Sequence, residues 1–170
     1  MPISDLSRPG DLLRGPANQV SPRAMTYWLV RALVGWSVVL AAAVIAWVFD
    51  WPVPPWPVPV MVVTVLLAAV HLAVMPRWRF RVHRWELSAD AVYTRSGWWT
   101  QEWRIAPVSR IQTVDTEQGP LGKLFRLTKV TVTTASAAGP LVIDGLDEPV
   151  AARLASEVTA AAQASRGDAT

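Results

Sequence analysis

The 170-residue sequence has no cysteine, only two histidines and two lysines, and little charge of either sign. The missing cysteine excludes disulfide frameworks, thiolate metal sites and cysteine nucleophiles. His71 and His83 are too few for a histidine-based metal cluster, so neither metal nor cofactor is expected. Charged residues make up 17% of the chain, against about 25% in average soluble proteins. The net charge of +3 is too small to draw nucleic acid, and no arginine-rich helix or RNA-binding aromatic motif points that way. Fourteen of the sixteen basic residues are arginine, as a G+C-rich genome favours.

Apolar residues reach 52% and crowd into residues 28–75. Trp28 to Phe49 is a 22-residue run with one charge, Arg31, near its start. As a helix it spans roughly 33 Å at 1.5 Å per residue, enough to cross a hydrocarbon core about 30 Å thick, with Arg31 close enough to the end to snorkel. Trp56 to Met75 is a second run whose sole ionisable group is His71. Its helical core is expected to start near Val58, because Pro52, Pro54, Pro55, Pro57 and Pro59 break a helix before it. The short Asp50–Pro55 link makes the two runs a transmembrane hairpin. A cleaved signal peptide is disfavoured by the long polar leader and the second span, and the remaining chain could not bury two such runs as a soluble core. Trp28, Trp47, Trp51, Trp56 and Trp78 mark the ends as an interfacial belt. Trp36 falls inside the first run, as a helix-packing or lipid-facing residue.

Arginine sets the orientation. Arg8, Arg14, Arg23 and Arg31 precede or open the first span, and Arg77, Arg79, Arg81 and Arg84 follow the second, while the link holds no cation. The positive-inside rule places both termini in the cytoplasm of a multi-pass cell-membrane protein. Residues 1–24 read as a disordered cytoplasmic tail, 25–76 as the hairpin (helices about 28–49 and 58–75), 77–162 as a cytoplasmic domain and 163–170 as a disordered end.

From Arg77 the apolar period becomes two. Trp98–Ile105 reads as a half-buried strand, with Trp98, Thr100, Glu102 and Arg104 on one face and Trp99, Gln101, Trp103 and Ile105 on the other. Ser96-Gly97 joins it to Val92–Arg95 as a hairpin. Lys129–Thr134 turns Val130 and Val132 inward, and Leu141–Ile143 returns until Asp144-Gly145 closes the strand. Trp78–Leu87 needs a bulge near His83 or Arg84 to keep its apolar phase, and Arg110–Gln118 needs a bulge or bend between Ile111 and Val114. These make six strands. Asp147, Glu148 and Pro149 open a final helix. Its stripe of Val150, Ala151, Leu154, Ala155, Val158 and Ala162 must cover an open end of the sheet or barrel, with fraying beyond Gln163.

Three segments carry a family resemblance: Trp85–Gly97 (WELSADAVYTRSG), Ile105–Val114 (IAPVSRIQTV) and Gln118–Leu127 (QGPLGKLFRL). A sheet closed by a C-terminal helix resembles the pleckstrin-homology superfold. With the hairpin before it, the chain is similar over residues 25–160 to the bacterial membrane-flanked, pleckstrin-homology-like (YdbS-like) family. The resemblance implies an α+β fold, a hairpin followed by a β-barrel or split sheet capped by a C-terminal helix. The superfold has seven strands, one more than the six counted.

No catalytic constellation is legible, and a non-enzymatic protein is expected. Gly119-Pro120-Leu121-Gly122-Lys123-Leu124 fails as a phosphate loop: the glycines are too close, Leu124 stands where Ser or Thr must reach magnesium, and Pro120 has no N–H. Together with Phe125 it reads as a turn or as a protein-contact loop. Asp115 and Glu117 have no third ligand. Arg77, Arg79, Arg81 and Arg84 fix topology, and the first three would face one way if extended, able to hold anionic headgroups. His71 is an intramembrane ionisable group, functional by default, or else a neutral imidazole bonded to the first helix or snorkelling. Trp98 is a possible contact for a partner or the bilayer. The expected role is a membrane-anchored module that meets a protein partner or another copy of itself at the inner surface. The alternatives are a sensor of anionic lipid headgroups through Arg77–Arg84 and an accessory subunit of an export or envelope-defence system.

Overall fold

The computed structural model describes residues 15–49, 57–136 and 139–167; the expectations for residues 1–14, for Trp51 and Trp56 in the link, and for 168–170 lie outside them. The order is β1 (Asn18–Gln19), α1 (Arg23–Val48), α2 (Pro57–Val82), β2 (Arg84–Leu87), β3 (Ala91–Ser96), β4 (Glu102–Pro107), a 3-10 turn (Val108–Arg110), β5 (Ile111–Glu117), α3 (Pro120–Phe125), β6 (Leu127–Thr134), β7 (Leu141–Asp147) and α4 (Glu148–Gly167). The strands form two antiparallel meanders, β1-β2-β3-β4 and β5-β6-β7.

Both long helices leave their apolar side chains in the open. Leu33, Val38, Ile45 and Val48 on α1 and Val58, Val63, Leu66 and Val70 on α2 are all exposed. Apolar surface around two helices of this length is a lipid-facing surface, and the chain is a membrane protein. Pro57 and Pro59 sit in the first turn of α2, where an N–H has no intrahelical partner to lose. Pro76 lies inside the helix. The Arg77 Nη1 donates to the Ala73 carbonyl, one turn back, at 2.7 Å.

The helix therefore runs past Pro76 to Val82, which corrects the sequence reading of Trp78–Leu87 as a bulged strand: only Arg84–Leu87 is extended. The long strand read at Trp98–Ile105 is also corrected. Trp98, Trp99 and Thr100 form the bend between β3 and β4, which begins at Glu102, so the two faces assigned to that stretch do not exist at its start. The seventh strand stands before the membrane helices. Asn18 pairs with Trp85 and Gln19 with Arg84, so residues 15–24 are not the unstructured tail expected.

The remaining β pattern follows the alternation. Val130 and Val132 are fully buried, and the irregularity of β5 falls between Ile111 and Thr113. Helix α4 buries Ala151, Leu154, Val158 and Ala162 against β5, β6, β7 and the 3-10 turn, and it continues past Gln163. Asp147, just before α4, ties this end of β7 to the start of α1: its Oδ1 accepts from Ser21 Oγ at 2.9 Å and from Arg23 Nη1 at 3.3 Å.

Strand β7 does not end at Asp144-Gly145 but passes through it to Asp147, with Gly145 at φ 84°. A Cβ at Gly145 would stand 2.8 Å from the Ala24 Cβ, so this glycine lets α1 close onto the sheet. Gly145→Ala combines a left-handed backbone penalty with overpacking. It should destabilise the domain by about 2–3 kcal/mol, read as a lower denaturation midpoint of the detergent-solubilised protein. An unchanged midpoint would mean that α1 is not held this tightly.

Candidate functional site

The core of the domain is built partly from the first turns of a membrane helix. Val20, Ala24 and Trp28 are buried with Val92, Ala106, Leu127, Val130, Ile143 and Leu146 in one cluster. Trp28 is 1% exposed, so the sequence assignment of this residue to an interfacial belt is corrected. It is a core residue of the domain.

Around its indole, three elements meet. Trp28 Nε1–H donates to Asp144 Oδ2 on β7 at 3.4 Å. Arg79, on α2, lays its guanidinium 4.5 Å from the Trp28 ring centroid and donates through Nη2 to the same Asp144 oxygen at 3.4 Å. His83, the residue after α2, stands 5.0 Å from Trp28, centroid to centroid. Its Nδ1 is 2.8 Å from the Arg79 carbonyl, and its Nε2 accepts from Arg79 Nε at 3.4 Å. Burial, and next the adjacent Arg79 cation, push the His83 pKa down to about 4. Backbone contact adds to the clamp, because Ser21 N donates to the Gly145 carbonyl at 2.9 Å.

A cavity of about 350 Å³ opens beside this junction, lined by Tyr27, Arg31, Arg79, Gly119, Lys129 and Asp144 among others. Its charges are largely matched. Arg79 pairs with Asp144 and Lys129 with Glu117, whose hydrogen bond holds the lysine ammonium above its usual pKa. Arg31 is exposed at its rim.

The arginine run does not form one patch. At about 100° per residue, Arg77 and Arg81 share one side of α2 while Arg79 points to the opposite side, into the junction. Arg84 lies on β2, opposite Gln19 and Arg95. The expectation that 77–81 is extended with its arginines facing one way is therefore corrected. His71 accepts at Nδ1 from Trp36 Nε1–H, 2.9 Å away on α1, and its other neighbour is Trp98, 5.4 Å between ring centroids.

The glycine motif folds as α3. Gly119 precedes it in extended conformation, Pro120 opens it, and Arg126 ends it in the left-handed region at φ 54°. Gly122 is buried where a Cβ would meet the Leu127 carbonyl at 2.8 Å, so the second glycine answers to packing. Phe125 meets Tyr27 of α1 edge-on at 6.1 Å and Leu121 is half-buried, while Lys123 is exposed and Leu124 is 74% exposed. Trp28, His83 and Asp144 were not legible as partners. The available signal was the i, i+4 pair Arg79/His83, which means something only once α2 is known to pass Pro76.

Among the described residues no three His, Asp or Glu side chains group as metal ligands. A family model for the bacterial PH domain matches residues 22–162. Over 125 residues, 71% of this chain and 78% of the relative, the sequence is 31% identical to the UPF0699 transmembrane protein YdbS of Bacillus subtilis (strain 168). No solved structure gives a significant match.

Proposed function

The chain belongs to the bacterial PH domain family, and we propose that it is a membrane-anchored, non-enzymatic binding module. It presents the domain at the inner membrane surface for contact with a partner protein or a second copy of itself. The observation that carries this reading is the mounting of the domain. Trp28 is a membrane-helix residue and a core residue at once, and Asp144 of β7 is bonded from both spans. A domain on a flexible tether samples many orientations. One built onto its anchor offers the same face at a fixed height, which lowers the ordering cost of association. The orientation follows from Arg23, Arg31, Arg77 and Arg81, all on the domain's side of the hairpin.

The contact is centred on α3. Within the glycine motif, Leu124 is a large apolar side chain left in the open, on a helix packed through Gly122 and through Phe125 against Tyr27. The alternative, reading headgroups through Arg77–Arg84, keeps Arg77 and Arg81, exposed on one side of α2, while Arg79 is paired with Asp144.

A photo-crosslinking residue at position 124, in cells at native expression, should give one discrete adduct that the same residue at exposed Ser156 on α4 does not. Equal, diffuse labelling from both positions, or monomer alone from both, would defeat the reading.

A further inference from the structure

We infer that the tip of the β3–β4 hairpin, Trp98-Trp99, is inserted into the lipid interface beside α2, giving the domain a second hold on the bilayer. This rests on the hairpin of α1 and α2 lying in the membrane. Trp98 packs its ring 5.4 Å from His71, and His71 is bonded to Trp36 of the other span. His71 lies six residues toward the membrane interior from Arg77, and Trp36 five from Arg31, so both sit roughly 8–9 Å below the arginines at the rise of a helix. Those arginines mark where the spans leave the lipid. A side chain in contact with His71 is therefore below the level of the charges, not in the aqueous phase above them.

The tip has the chemistry for that position. Trp98 is 40% and Trp99 86% exposed, and their rings adjoin at 6.0 Å between centroids. Trp103, just beyond, is 47% exposed. Gly97 to Gln101 contains no charged residue. In water two such rings would be an unexplained apolar projection. At the interface the indole faces meet acyl chain while each N–H finds headgroup or water. The backbone sets the limit of depth. Residues 98–100 are a bend outside any strand, and lipid-exposed irregular backbone is not tolerated within the hydrocarbon core, so the tip stops at the headgroup–acyl boundary. Two spans fix where the domain is; a third contact on one side fixes its tilt, and hence which way α3 faces.

The cysteine-free chain makes the test direct. Thr100→Cys keeps both tryptophans and places a single thiol at the tip for a nitrobenzoxadiazole label, with the full-length protein reconstituted in phospholipid vesicles. Trp99→Cys provides a second site, Val65→Cys in mid-span a lipid control, and Ser156→Cys on α4 a water control. Tip fluorescence should be quenched by lipids spin-labelled near the top of the acyl chain and shielded from iodide, with the reverse at Ser156. Quenching by iodide and not by lipid at both tip sites would overturn the insertion. Protection from both quenchers would overturn it too, by showing that protein covers the tip. If Val65 also failed to respond to lipid, the spanning hairpin itself would be refuted, a result separate from failure at the tip alone.

Discussion

Trp28→Ala is expected to unseat the domain while leaving the hairpin in the membrane. The indole is closed in on every side: by Arg79 on one face, by His83, by Asp144 at its N–H, and by the Gly145 backbone, where a Cβ would stand 3.6 Å from Cζ2. Truncating a fully buried tryptophan costs about 3–5 kcal/mol, and here it also leaves the Arg79–Asp144 pair beside a void. The spans lose little, since Leu29 to Phe49 and Val58 to Met75 still provide the apolar length. The variant should therefore resist extraction by alkaline carbonate as the wild type does, yet its domain should be cut by protease at far lower concentrations and melt about 10 °C or more lower. Trp28→Phe, which keeps most of the volume but not the N–H, should fall between the two. A Trp28→Ala protein with wild-type protease resistance would show that the domain folds independently of α1, and the rigid-mount reading would fail with it.

That result would separate two things the sequence conflates. Trp28 begins a 22-residue apolar run, and a tryptophan at such a boundary is read by composition as an interfacial anchor. Nothing local marks it as the residue on which Asp144 of β7, 116 positions away, will close. The same limit explains the other corrections. Pro76 and the fall in hydropathy after Met75 are ordinary stop signals, and they failed because a single missing N–H inside a long helix can be tolerated, here one whose end, Arg79 and His83, packs on Trp28. Trp98-Trp99-Thr100 alternates correctly for a strand, but alternation cannot distinguish a strand from a tip whose tryptophans face another element. The two-residue β1 carries no periodic signal at all. What was legible rested on long apolar patterns: both spans, the inward valines of β6, and the stripe of α4. The family resemblance supplied the seven-strand expectation, and the missing strand was found ahead of the hairpin, where the sequence reading looked for disorder. The candidate site was less legible for a physical reason. It is a junction, made by Trp28, Arg79, His83 and Asp144 from three separate stretches of chain, and each has an unremarkable role when read alone.

Acidification should loosen this junction through His83. The imidazole is 6% exposed and neutral in the folded protein: Nδ1–H faces the Arg79 carbonyl, while Nε2 accepts from the Arg79 guanidinium. A second proton would have to go on Nε2 in this buried site, setting donor against donor and cation against cation beside Arg79, with Asp144 as the opposing charge. Folding therefore holds the pKa at about 4, down from 6.5. The sign follows from proton binding. Between pH 6.5 and about 4 the unfolded chain binds the proton that the folded chain refuses, so stability is full above pH 6.5, falls as pH drops through this window, and levels off below about pH 4. The total loss is about 3 kcal/mol. Wild type and His83→Gln, denatured in mild detergent between pH 7.5 and 4.5, should have profiles that diverge as pH falls, with the variant nearly flat across this window. His83→Phe, which keeps the ring and removes the titration, should also be flat, which separates loss of packing from loss of the proton site. Parallel profiles for all three would mean that His83 is charged, or free to be charged, in the folded protein. The junction would then be held by Trp28, the Arg79–Asp144 pair and the Ser21–Gly145 backbone bond, with no part played by a neutral His83.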